Sequence, residues 1–242
     1  MGRIIDFQIA YLSWKRWDVF KDCLDSHKPI LNLSVKSTVF FQELSQQDIL
    51  ISNTYGLDFL GADENIGIFN GMKKLFSLLD KNVDYTIYLE NDFKMTTDFD
   101  LDSMLNDIKT LFEEYNVDMI KLRSRNYPGK PIYSKPKEEN PTYDESFPYQ
   151  LESIHWLENP EKIFPNTIEL VDLNYRWFKT KQKHQRWSNN ALIVKTNFIK
   201  EKILPCMEKE VSLDKYQYCE TLLGKKLKFN IAGGHGMFQH IK

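Results

Sequence analysis

The sequence predicts an α/β fold, a single domain with a central, mostly parallel sheet flanked by helices. Two observations carry that expectation. Strand-like and helix-like segments alternate through the first half of the chain, the pattern of a sheet covered on both faces. The 242 residues are also 42% hydrophobic, ample for a core of that size.

Residues 3–12 (RIIDFQIAYL) and 34–41 (SVKSTVFF) read as strands. Between them, residues 17–27 place Trp17, Phe20 and Leu24 on one helical face at i, i+3 and i+7. A short apolar run at 57–60 precedes a helix over about 67–80, where Met72, Leu75, Phe76 and Leu79 form one stripe. The strand 84–89 comes next. A helix over 100–115 then carries Leu101, Met104, Leu105, Ile108, Leu111 and Phe112 on one face, and 117–124 (VDMIKLRS) reads as another strand. After Ser124 the character changes, because five of the nine prolines fall between Pro128 and Pro148. Such a long irregular segment within a domain points to function or motion. From about 152 to 190 the chain is rich in tryptophan and basic residues, among them Trp156, Arg176, Trp177, His184, Arg186 and Trp187. Order returns with the strand 190–196 (NALIVKT), a helix from about 196 to 206, another over 212–223, and a last strand near 226–231.

A net charge of -2, spread along the chain, is unlike the footprint of a general nucleic-acid binder. Three cysteines without C-x-x-C spacing argue against a disulfide framework or a structural zinc site. No apolar run is long enough for a signal peptide or a transmembrane segment, so a soluble, cytoplasmic protein is expected. In "MGRIID", Asp6 stands where N-myristoylation wants Ser or Thr.

The stretch 84–93, DYTIYLENDF, is apolar and β-prone and then ends in Glu90 and Asp92. In an open α/β sheet, ligands bind beyond the carboxyl ends of the strands. Two carboxylates at i and i+2 leaving such an end reach the same side and suit Mg²⁺ or Mn²⁺. A solvated loop would also start this way.

Four motifs together resemble the GT-A nucleotide-sugar glycosyltransferases, in particular their small family-2-like branch. Residues 10–16 (AYLSWKR) close the first strand where that family holds the base and ribose. Residues 62–75 include Asn65-Ile66-Gly67, similar to its Asn-x-Gly segment before a helix. YLENDF stands at the Asp-x-Asp metal motif, with Glu in place of the first Asp. Residues 233–241 (GGHGMFQHI) look like its terminal glycine-aromatic-x-His element.

The resemblance implies a GT-A domain with residues 1–124 as the nucleotide-sugar-binding half. Residues 125–242 would be the acceptor-binding half, with C-terminal metal and base elements. It implies Mn²⁺ or Mg²⁺ held by Asp92, His240 and Glu90, with His235 as the rival imidazole. His240 would swing onto the metal from a segment loosened by glycines 233, 234 and 236. The nucleotide sugar, a UDP-sugar, would be met by Tyr11, Ser13, Arg16, Glu43, Asn65, Gly67, Glu90 and Asn91. Tyr11 or Trp14 would stack on the base, and Arg16 would reach the phosphates through its forked donors. Glu43 is the weakest transfer, because the family more often shows an Asp-Gly-Ser-like turn after that strand.

An inverting transfer needs a base for the acceptor hydroxyl. Asp214, in the first turn after a possible Ser212 cap, is the first candidate, ahead of Glu210 and Glu220. The family's usual paired-acid signature is absent here. Trp156, Trp177 and Trp187 are the candidate sugar platforms, with Asn189 beside them in the segment 187–190. The expected activity is transfer to a glycan or glycolipid. Alternatives are the same chemistry on a modified DNA base or protein side chain, suggested by the basic-aromatic stretch 175–187, and a non-catalytic binding module.

Overall fold

The computed structural model describes residues 4–129, 158–181, 187–209 and 219–241. Strand β1 (Phe7–Ser13) leads into helix α1 (Trp17–Leu33), then β2 (Lys36–Phe41), α2 (Gln46–Tyr55) and β3 (Asp58–Gly61). Helix α3 (Gly67–Ser77), β4 (Tyr85–Glu90), β5 (Phe93–Met95), α4 (Leu101–Glu113) and β6 (Met119–Arg123) follow. Further on lie α5 (Pro160–Ile163), β7 (Glu169–Asp172), β8 (Arg176–Lys181) and β9 (Leu192–Lys195). A helical stretch comprises α6 (Thr196–Phe198), a π-helical turn (Ile199–Ile203) and α7 (Leu204–Glu208). Helix α8 (Cys219–Lys226) and β10 (Asn230–His240) complete the described chain.

Among the described residues the strands form one ten-stranded sheet in the order β3-β2-β1-β4-β9-β6-β10-β8-β7, with β5 paired to β10. The strands β1, β2, β3, β4, β6, β7 and β10 run one way; β5, β8 and β9 oppose them. The sheet is mostly parallel in direction. Its parallel run is nevertheless interrupted where β9 wedges between β4 and β6, because the strand 190–196 returns antiparallel.

Helices cover both faces. Phe20, Leu24 and Ile30 of α1, with Met104, Leu105, Ile108 and Leu111 of α4, join one buried cluster. Met72, Leu75 and Phe76 of α3, with Ile199, Ile203 and Met207, join another. The stripes read from the sequence at helical period are therefore the faces that bury.

Helix α2 escaped the sequence reading because its Ile49-Leu50-Ile51 run has no helical period. Its signal was a capping box: Ser45 caps the first turn while the Asp48 carboxylate accepts from the Ser45 backbone N–H. The last strand is also longer than expected, and the glycine segment 233–236 lies inside it. Residues 230–234 pair with β8, so this segment is a bulged strand and not a loosened one. Gly236, at φ +65°, sits where an added Cβ would fall 2.3 Å from the Arg123 carbonyl oxygen. No helix of the described residues is long and apolar enough to cross a membrane.

Strand β1 stands between β2 and β4, so the chain winds outward through β2 and β3 and then returns to the other side of β1. Crossovers that leave in opposite directions open a crevice at the carboxyl ends of β1 and β4.

Candidate functional site

That crevice is a cavity of about 630 Å³. The end of β1 supplies Ser13, Trp14 and Arg16, and the end of β2 supplies Gln42. The start of α3 supplies Asn65, Gly67 and Ile68, and the end of β4 supplies Glu90, Asn91 and Asp92.

The loop after β1 is strained. Lys15 and Arg16 both adopt left-handed backbone, at φ 53° and 55°, although neither is glycine. Each such residue costs about 1–2 kcal/mol, so something must hold the pair. Asn91 does so: its Nδ2 donates to the carbonyls of Lys15 at 2.9 Å and Trp14 at 3.4 Å, and to Ser13 Oγ at 3.2 Å. The Arg16 guanidinium then reaches across the crevice to Asp92, Nη1 to Oδ2 at 2.9 Å. Trp14 is 48% exposed and donates from Nε1 to Glu43 Oε2. The hydrogen bonds from Trp14 and then Lys15 hold the Glu43 carboxyl below its ordinary range.

At the opposite wall, Asn65 Oδ1 accepts from the Gly67 N–H, and Gly67 takes φ +80°. Gln42 ties β2 to this helix start by donating to the Gly67 carbonyl and accepting from the Ile66 N–H. Any side chain at Gly71 would strike the Gln42 amide, a Cβ there falling 2.5 Å from Nε2.

The acidic end of β4 meets the far end of the chain. Because β5 pairs antiparallel with β10, His240 stands opposite Phe93, and the Ile241 N–H donates to the Asp92 carbonyl. His240 Nε2 thereby comes within 3.2 Å of Asp92 Oδ2, the oxygen that Arg16 also holds. Asp92 Oδ1 and Glu90 Oε1 are buried and have no hydrogen-bond partner. Burial, then the charges of Asp92 and Glu220, push the Glu90 carboxyl up to about 8, against a small opposing effect of the Tyr88 hydroxyl. Glu220 itself accepts from the Asn189 N–H at 2.7 Å.

Two buried carboxylate oxygens lacking donors, beside an imidazole, fit a hard divalent cation in their chemistry. The residues that could hold it are Glu90, Asp92 and His240. The set is not pre-assembled: among the described residues no three His, Cys, Asp or Glu side chains are grouped to hold an ion, and Arg16 occupies Asp92.

No family model matches the sequence, and no curated protein matches it. Solved structures do. A mannosyl-3-phosphoglycerate synthase from Rubrobacter xylanophilus is 12% identical, with 81% of this chain and 54% of that one covered and a TM-score of 0.44. A glucosyl-3-phosphoglycerate synthase from Mycobacterium tuberculosis, in complex with Mn²⁺, UDP and glucosyl-3-phosphoglycerate, is 9% identical over 98% of this chain and 72% of that one, at TM-score 0.47. A mycobacterial protein is 11% identical over 98% of this chain and 67% of that one, at TM-score 0.50. This chain thus spans about half the length of the mannosyl-3-phosphoglycerate synthase. The likeness to the mycobacterial protein is a likeness of fold. The fold is a mostly parallel sheet flanked by helices, as expected.

Set on this fold, the sequence-derived residues separate. Ser13, Arg16, Asn65, Gly67, Glu90, Asn91 and Asp92 line one cavity, His240 touches Asp92, and Glu43 stands behind Trp14. Tyr11 does not take part: it is fully buried, with its hydroxyl on His27 Nδ1 at 3.1 Å and its ring stacked on the imidazole. Tyr11 and Ser13 share a face of β1, but Tyr11 lies two residues in from the strand end and packs under α1, so Trp14 is the aromatic left for a base. Asn91 lines the cavity, yet its amide is spent on the loop. His235 is engaged elsewhere, stacked on Tyr175 and within 3.4 Å of Asp98.

Two of the expected sugar platforms are core residues. Trp177 is buried and donates to Asp107, and Trp187 is buried against Phe76 and donates to Asn189 Oδ1. Asn189 itself is half-buried, its backbone held by Glu220. Trp156, Asp214 and Glu210, and the start of the helix expected over 212–223, lie outside the described residues. Gln42 and His27 were missed. Gln42 is a polar residue at a strand end, a signal that its acidic neighbour Glu43 overshadowed; nothing local marked His27.

Proposed function

We propose that the chain is a glycosyltransferase that takes a sugar from a nucleoside-diphosphate donor, a UDP-sugar, with Mn²⁺ or Mg²⁺ held by Glu90, Asp92 and His240. The observation that carries this reading is the meeting of Asp92 with Arg16 and His240 at the crevice, beside two unsatisfied carboxylate oxygens. A bound divalent cation supplies charge neutralisation for a departing diphosphate. The chain's own residues supply the rest. Trp14 offers a half-exposed face to the base, with Glu43 holding its indole in place. The N-termini of α1 and α3 open toward the cavity and favour an anion there, and Arg16 adds a forked donor to phosphate oxygens. Glu90 and Asp92, with His240, would hold the cation.

For the acceptor we propose a glycan or glycolipid hydroxyl. With Trp177 and Trp187 in the core, its stacking surface would rest on Trp156. For an inverting step the proposed base is Asp214. Glu220 is a second reading, favoured by its place beside Glu90, close enough to raise the pKa of that carboxyl.

A panel of nucleotide sugars incubated with the protein and Mn²⁺ tests the reading by release of free nucleotide. UDP released from one sugar donor, and lost on adding EDTA, is the expected result. A protein that neither binds UDP with Mn²⁺ nor hydrolyses any donor would end it.

A further inference from the structure

We propose that Arg16 is a built-in stand-in for the cation, occupying Asp92 until a divalent ion and a diphosphate arrive together. The inference rests on the function proposed above. Asp92 Oδ2 carries both Arg16 and His240, while Asp92 Oδ1 and Glu90 Oε1 have no partner. Asp92, two residues from Glu90 in the same enclosed corner, needs a counter-charge when no metal is present, and Arg16 is a cation placed to give it. An ordinary surface ion pair would have no such setting.

The mounting of Arg16 supports the idea. Its side chain is 40% exposed, so it is free to turn, whereas Asp92 is 13% exposed and fixed. Arg16 and Lys15 are held in left-handed backbone by Asn91, the residue between the two acids. The same short segment therefore presents the carboxylates and clamps the loop that carries their temporary partner. When Arg16 yields Asp92, its guanidinium remains within the same cavity, where a diphosphate offers it new oxygens. Diphosphate draws Arg16 away and so frees Asp92 for the metal; metal on Asp92 frees Arg16 for the diphosphate. The two ligands are thus coupled, and coupling is reciprocal.

The test measures Mn²⁺ binding to the full chain from the spin-resonance signal of free Mn²⁺, with and without UDP. In wild type, Mn²⁺ alone should bind weakly, and UDP should tighten it. In Arg16→Gln, Mn²⁺ alone should bind about tenfold tighter than in wild type, and the enhancement by UDP should shrink correspondingly. Arg16→Lys keeps the charge and should stay close to wild type. Thermal melts establish that each variant is folded. Arg16→Gln binding Mn²⁺ alone no tighter than wild type, with UDP still enhancing both, would overturn the stand-in role and leave the proposed function standing. If neither protein takes up Mn²⁺ even with UDP, the metal reading itself falls, and this inference with it.

Discussion

Strand β4 has acidic side chains at both ends, and the two ends are built differently. At the amino end, Asp6 and Asp84 join Glu113 and Lys109 around an open cleft of about 490 Å³, with all three carboxylates exposed to water. At the carboxyl end, Glu90 and Asp92 face a walled crevice, and each has one oxygen enclosed without a hydrogen-bond donor. The same kind of residue on one strand is solvated at one end and left with a hydrogen-bond-free oxygen at the other. The cause is convergence. The carboxyl end receives the loop after β1, the start of α3 and the end of β10, while the amino end keeps its charges in water. An acidic pair becomes a candidate site when remote elements remove its water without replacing it.

The sharpest way to break this comparison is to neutralise one acid at each end. Asp92→Asn should lower UDP-dependent Mn²⁺ binding and sugar transfer by about 10²- to 10³-fold, the scale of losing one positioned electrostatic group. Calorimetry with UDP and Mn²⁺ reads the binding; unchanged affinity would remove Asp92 from the site.

The support beneath the carboxyl end can be removed next. His27 is buried under the Asp92–Phe93 turn, with Nε2 on the Phe93 carbonyl at 2.9 Å and Nδ1 on the Tyr11 hydroxyl, and burial pushes its pKa down to about 3. Its neutral ring donates to one partner and accepts from the other. His27→Ala leaves a cavity and two unpaired polar groups, which should cost about 3 kcal/mol in urea denaturation. A cost near zero would show that the turn does not depend on this bridge.

Glu90 gives the comparison a pH signature. Its carboxyl is raised to about 8 in the folded chain, above the ordinary value of 4.5, so folding takes up a proton between these limits. The stability it contributes is fully present below about 4.5 and is lost as pH rises through about 8. In EDTA, Glu90→Gln should therefore flatten the stability profile over that range and exceed wild type by about 2 kcal/mol already at pH 6. Parallel profiles for the two proteins would mean that Glu90 is not enclosed as described. The smallest effect belongs to the other end. Asp84→Asn should change both stability and ligand binding by less than about 0.5 kcal/mol, as exposed substitutions do. A loss comparable to that of Asp92→Asn would erase the distinction between the ends.

Much of the scaffold was legible because its signals are local. The stripes Met72-Leu75-Phe76 and Met104-Leu105-Ile108-Leu111 state which helix face is apolar, and the structure buries those faces. The abrupt charge after Leu89 marks a strand end. Aromatic residues were read less well: Tyr11, Trp177 and Trp187 carry the same letters whether they stack on a ligand or fill a core, and all three are buried. Asn91 lines the cavity as expected, but its role as a clamp was not legible, because the partners of its amide are mainly backbone carbonyls that no side-chain pattern advertises.

By itself, then, the sequence determined the α/β alternation, the apolar faces and the position of the acidic strand end. Those follow from period and composition, which act within a few residues. Tertiary structure alone decided that β9 enters antiparallel between β4 and β6, that the glycine segment is a paired strand, and that Arg16 and His240 share one oxygen of Asp92. Those depend on which segments pair across the sheet. The energy of such pairing is spread over many contacts between residues distant in sequence, so no single stretch contains it.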